Sequence, residues 1–158
     1  MLHRLLTTAG VAAIVAFVVG GGAFAVASSS GGSDGPVRTI TVIEKSSNGA
    51  YIDLGKKGFS VGDEFIIRST FWNVARTHRV GANHGYCVVV GADKAQCTGT
   101  ARLMGGSVSY SGISGSGSVF TIAITGGTGA LESAEGQVTV HNLDANGNVS
   151  RDVIELTG

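Results

Sequence analysis

With 158 residues, of which 26 are glycine and one is proline, the chain has a permissive backbone, yet its glycines follow no triplet period and collagen is excluded. At 43% hydrophobic and 14% charged, it lies far from the compositions in which burial fails to offset conformational entropy, and a single domain is expected. Eleven basic side chains against eleven acidic ones leave no formal net charge, so neither nucleic acid nor a membrane surface is indicated as a partner once any targeting segment is gone.

The chain opens on Met1-Leu2-His3-Arg4 and continues through the apolar run Val11 to Val19, three glycines and Ala23-Phe24-Ala25-Val26-Ala27. A basic start, an apolar core and small residues at the cleavage positions are the pattern of a secretory signal peptide, assigned to 1–27 with cleavage after Ala25 or Ala27. Three consecutive glycines weaken the alternative of an uncleaved membrane helix. Residues 28–35, rich in Ser and Gly, read as a flexible linker, and 36–158 as the folded domain of an extracellular protein.

From Pro36 onward the apolar period is two, in runs rich in Val, Ile, Thr, Phe and Tyr, which predicts strands. They fall at about 37–45, 50–54, 64–72, 84–90, 96–104, 106–114, 118–125, 136–142 and 149–156. Asn146-Gly147 marks a primed hairpin turn between the last two. After the signal no segment keeps helical periodicity for ten residues. Many short, evenly spaced strands predict an all-β sandwich or barrel, and glycines in or beside strands (Gly99, Gly112, Gly115, Gly117) favour closure into a small antiparallel eight-stranded β-barrel of calycin type. Gly126, Gly127 and Gly129 are read as a tight structural turn; a phosphate cradle would need a helix after them, and a strand follows.

Two stretches resemble a known family. Ala123-Ile124-Thr125-Gly126-Gly127-Thr128-Gly129, followed by Ala134-Glu135-Gly136-Gln137-Val138, resembles the strand, glycine turn and returning strand of allene oxide cyclases and dirigent proteins. Gly62-Asp63 through Gly85-Tyr86-Cys87-Val88 is similar to the second-strand region of the cyclases. The resemblance implies an eight-stranded barrel with an apolar cavity open at one end, a homo-oligomer (trimer or dimer), and a small apolar or aromatic ligand. It implies no cofactor, and any activity would be that of an isomerase or cyclase.

Within this frame Ile40, Val42 and Glu44 share one face of the first strand. Either Glu44 points into the cavity as a catalytic or electrostatic carboxylate, at the place where the cyclases carry a glutamate, or it ends the strand in solvent. Phe65, Ile67, Ser69 and Cys87 are the candidate ligand-binding wall, and Phe65, Ile67, Val88, Phe120 and Ile122 would fill the interior if no cavity exists. Pairing Val90 with Lys94 would set Cys87 opposite Cys97 and allow a disulfide; the other reading is that Cys87 lines the pocket, as the matching cyclase cysteine does. Arg68, Arg76, His78, Arg79 and His84 form a basic group that reads as a grip for a carboxylate at the mouth or as a hydrated loop. The histidines lack metal spacing, and no metal site is expected.

Overall fold

The computed structural model describes residues 37–157; the expected signal segment and the whole of the expected linker lie outside the described residues. Residues Ser33–Gly158 cluster as one unit by their contacts. The elements are β1 (Arg38–Ser46), β2 (Ala50–Ile52), β3 (Glu64–Trp72), β4 (Arg79–Gly91), β5 (Lys94–Leu103), β6 (Gly106–Gly115), β7 (Val119–Gly129), β8 (Glu135–Asn142) and β9 (Val149–Thr157). In β9 the two-residue alternation is direct: Ser150, Asp152, Ile154 and Leu156 are buried, while Arg151 between them is exposed.

Strands β3 to β9 form an antiparallel meander, and β1 lies against β9. The sheet closes where β1 also pairs with β3, from Ile43 opposite Trp72 to Ser46 opposite Ser69. Eight strands thus make a closed barrel, and the short β2 continues the line of β1 along the other half of β3. Between β1 and β2 the chain breaks step at Asn48, whose φ is 49°, while the Ser47 amide still donates to the Arg68 carbonyl at 2.7 Å.

One end of the barrel is filled. Val42, Phe71, Leu103, Val108, Ile124 and Leu156 pack there with Leu131 and Ala134 from the β7–β8 turn. The other end holds a smaller cluster around Cys87, Cys97, Tyr110 and Ile122. This asymmetry comes from residue size: at the filled end, turn residues fold back under the barrel and supply the volume that strands alone do not.

Three expectations need correction. β4 begins at Arg79 rather than 84, because Gly81 lets its backbone lie directly against β5; a side chain there would overlap the Arg102 carbonyl. The chain does not reverse at Gly126–Gly129: β7 runs on to Gly129, with a register shift between Ser109 and Tyr110, and the turn follows at 130–134. Gly127 is needed because a side chain would overlap the Leu131 carbonyl of that turn, and Gly129 because its φ is +62°. Val88 faces outward, since its neighbour Cys87 faces in.

Gly85 and Gly99 are paired across β4 and β5, and the Tyr110 phenol lies over both. A methyl group on Gly85 would sit 2.6 Å from the phenol oxygen, and one on Gly99 would also meet the ring. Gly126, by contrast, has open space where its Cβ would be. Gly99→Ala is therefore expected to destabilise the fold by about 1–3 kcal/mol through overpacking. Gly126→Ala is expected to stay within about 0.5 kcal/mol. Urea unfolding of the two variants checks the contrast.

Candidate ligand cavity and its carboxyl pair

The unfilled end encloses a cavity of about 460 Å³. Its walls are mainly apolar: Phe65, Ile67, Phe120, Ile122, Val138 and Val140 face it from β3, β7 and β8. The sequence-predicted residues Glu44, Phe65, Ile67, Ser69 and Cys87 all line it. Val140 and Phe120 face each other across β7 and β8, so the wall is continuous there.

Glu44 points inward, as the first of the two readings has it, and it is held there by hydrogen bonds. Ser69 Oγ donates to Glu44 Oε1, and Asn83 Nδ2 donates to the same oxygen at 2.8 Å. The Tyr110 hydroxyl donates to Asn83 Oδ1 at 3.0 Å, which orients the amide with its nitrogen toward the carboxylate. Burial first, and then the charges of Glu44 and Asp152, push the Tyr110 phenol up to about 12, so it stays a donor.

Behind Glu44 lies a second carboxyl. Asp152 is 3% exposed, opposite Val42 on the adjacent strand, and accepts a hydrogen bond from Ser150 Oγ at 2.7 Å. Desolvation, the neighbouring Glu44 charge and a hydrogen bond to Glu44 push its pKa up to about 9. Burial beside Glu44 thus keeps Asp152 a neutral acid at pH 7. The alternation that places Glu44 inside applies equally to Ser150, Asp152 and Ile154. Asp152 and Asn83 were missed because the last strand was read only as a hairpin arm and the fourth was started one residue too late for Asn83.

Cys87 and Cys97 form a disulfide with a Cα–Cα distance of 4.0 Å, the close spacing of a non-hydrogen-bonded pair. Both cysteines also line the cavity, so the two readings of Cys87 hold together. The expected partner of Lys94 is corrected: Gly91, not Val90, faces it, and a register shift between Val89 and Gly91 restores the Cys87–Cys97 match. The basic group does not converge on the mouth. Arg76, His78 and Arg79 sit in or beside the β3–β4 connection at the filled end, and Arg68 and His84 are exposed on the outer face.

The cavity lining also takes in Ser46, Gly49, Ala50 and Tyr51 and, from the β8–β9 turn, Asn146, Gly147 and Asn148, and Tyr51 is tied to the segment that follows β2. Asp63, fully buried, accepts from the Tyr51 hydroxyl at 2.7 Å, the Leu54 amide at 2.9 Å, and the Ser60 amide and hydroxyl. Tyr51 and Phe59 both pack on Phe65, with ring centroids 5.0 and 5.8 Å apart. The Tyr51 hydrogen bond is the largest of the effects that hold the Asp63 carboxyl below its usual range.

Among solved structures, a pyocyanin demethylase is 29% identical, with 76% of this chain covering 100% of that one at a TM-score of 0.66. A pterocarpan synthase dirigent protein is 14% identical over 77% of this chain and 93% of its own, at 0.61. A Diels-Alderase from Streptomyces koyangensis is 16% identical over 78% of this chain and 70% of its own, at 0.64. The chain has the allene oxide cyclase and dirigent-like barrel fold. No family model and no curated protein matches it.

In this dirigent-like barrel, the proton on Asp152 gives stability a definite pH slope. The folded state keeps that proton until about pH 9, whereas the unfolded chain releases it near the ordinary value of 3.8, so this group's stabilising contribution is full at low pH and is lost as pH rises. Asp152→Asn keeps a neutral polar group beside Glu44 but cannot ionise. Thermal melts from about pH 5 to about pH 8.5 are expected to fall more steeply for the wild type than for the variant. Parallel curves would place the proton elsewhere.

Proposed function

We propose that the protein is a small-molecule barrel that takes one apolar or aromatic ligand into the cavity, with a polar atom of the ligand set against Glu44, and guides its cyclisation or isomerisation. The observation that carries this reading is the Glu44 carboxylate presented on a mainly apolar wall and held by Ser69 and Asn83. The cavity volume lies within the roughly 300–1,000 Å³ typical of small-ligand sites, which favours binding over a barrel packed solid by its own side chains.

The mechanism follows from what each group does before any ligand arrives. Ser69 and Asn83 fix the carboxylate, so no reorganisation is needed when positive charge develops on a ligand beside it. Asp152 supplies or withdraws a proton on the hidden side of Glu44, which lets the pair act as base or as acid without exposing a second charge. Phe65, Ile67 and Ile122 restrict the ligand to a folded shape, and such preorganisation is worth up to several kcal/mol of a barrier. Solved structures with this fold include a pyocyanin demethylase, a pterocarpan synthase dirigent protein and a Diels-Alderase, and names that speak of small-molecule chemistry support this reading. Secretion accords with the disulfide, since such bonds persist in oxidising compartments.

Native mass spectrometry with pyocyanin, a set of flat phenols and unsaturated fatty acids tests the reading. One ligand per chain is expected from at least one class. Glu44→Gln is expected to weaken that binding or slow any conversion by about tenfold or more, the loss of a charge-assisted contact. Equal retention and conversion by the variant would remove the carboxylate from the function, and no retained compound from any class would remove the ligand.

A further inference from the structure

The cavity holds a charge without its counter-charge. Among the described residues Glu44 is the one acidic side chain that lines it, and no lysine, arginine or histidine lines it at all. Ser69 and Asn83 satisfy one oxygen of the carboxylate, but both are neutral donors and cancel none of its charge. A carboxylate on an apolar wall with nothing of opposite sign beside it is half of an ion pair. The nearest basic groups point elsewhere. Lys45 lies over the Trp72 ring on the outside of the barrel. His141 and Arg151, paired across β8 and β9, alternate with the lining residues Val140 and Ser150 and so face out.

Charges outside the cavity are sorted in the same sense. Among the described residues, the connections at the open end carry Asp53, Asp63, Asp93 and Asp144 against Lys56 and Lys57, and the strand ends beside them add Glu64 and Lys94. The filled end carries Arg38, Arg76 and Arg79 against Glu132 and Glu135. The cavity therefore opens at the more acidic end, where a cation is concentrated and an anion repelled. Asp144 sits in the turn that contributes Asn146 and Asn148 to the lining. The amides of Asn148 and Asn146 donate to its carboxylate at 3.0 and 2.9 Å, and such backbone hydrogen bonds, that of Asn148 foremost, hold it below the usual carboxylate range.

The walls decide which kind of cation fits. A metal ion needs several oxygen ligands in place of its water, and no group of three His, Cys, Asp or Glu converges among the described residues. Tyr51, Phe65 and Phe120 line the cavity instead, and aromatic faces attract a cation whose charge is spread over carbon and nitrogen. We propose that the cavity selects an organic cation, an aromatic ring system of fixed positive charge, with that charge on Glu44 and its rings against Phe65 and Phe120. This ligand class narrows, and rests on, the cavity reading proposed above. Anions of the same shape meet Glu44 with like charge and are rejected.

Three probes of one shape separate charge from size: N-methylacridinium, acridine and acridine-9-carboxylate, which are cationic, neutral and anionic at about pH 8, titrated into the protein by fluorescence. The cation is expected to bind about tenfold more tightly than acridine or better, the worth of one charge-assisted contact, and the anion more weakly than acridine. In Glu44→Gln the advantage of the cation should fall to about twofold or less, with acridine bound as by the wild type. Ser46 lines the cavity two residues along the same strand face and is exposed, so Ser46→Lys supplies a counter-charge without repacking and keeps the question decidable if Glu44→Gln fails to fold. That variant should lower the advantage of the cation by about fivefold. Equal binding of cation and acridine by the wild type, or an advantage unchanged in either folded variant, would overturn the assignment of charge and leave the cavity reading standing. Binding of none of the three would overturn the cavity reading and this ligand class with it.

Discussion

The pairing of β1 with β3 is the constraint on which everything else rests. Only four residue pairs make it, Ile43 to Ser46 against Ser69 to Trp72, yet they convert a nine-stranded ribbon into a closed barrel. Because side chains alternate along a strand, a slip of one residue in this register would turn Glu44 outward and bring Ile43 and Lys45 into the interior. The closure also sets Glu44 beside Ser69 on the adjoining strand, so the same contact that shuts the barrel positions the carboxylate. Lys45, pointing the other way, lies 5.1 Å over the Trp72 ring on the outside, which holds the register from the solvent face.

The barrel is divided into a packed half and a hollow half, and the polar network sits between them. A buried carboxyl is costly unless it is neutral or paired, and Asp152 meets that condition by keeping its proton beside Glu44. Below this level Leu131 and Ala134 seal the floor; above it the walls are apolar and the disulfide crosses from β4 to β5. Tyr110 spans the two halves. Its ring fills the space over Gly85 and Gly99, and its hydroxyl ends on Asn83, so a packing residue also aligns the amide that holds Glu44.

Much of this was legible in the residues. Period-two patterning placed all nine strands, and β3 fell at 64–72 as expected, because Phe65, Ile67 and Phe71 alternate with polar or rim residues. The same alternation put Phe65, Ile67 and Ser69 on one face and Glu44 with Ile40 and Val42, but it left open whether Glu44 turned inward or ended its strand in solvent. What the pattern could not give was anything that depends on a register shift. The strand β7 carries Thr125 as an extra residue between its pairings with Tyr110 and Ser109, so its glycines are strand residues and not a turn. The bulge at Val90 likewise altered the Lys94 partner while leaving the cysteines opposed. Asn83 and Asp152 carry no signal of their own, because a single polar residue in a strand gains meaning only when its neighbours across the sheet are known.

The proton held on Asp152 behind Glu44 is the most direct witness to this arrangement, since it exists only if the barrel is closed and Asp152 is shielded from water. Carboxyl-carbon NMR of aspartate-labelled protein reads it without a ligand. One aspartate signal is expected to keep its protonated shift through neutral pH, to titrate near about 9, and to vanish in the Asp152→Asn variant. If every aspartate signal has moved to its ionised position by about pH 5, Asp152 is in contact with water and the closed, acid-lined cavity described above is contradicted.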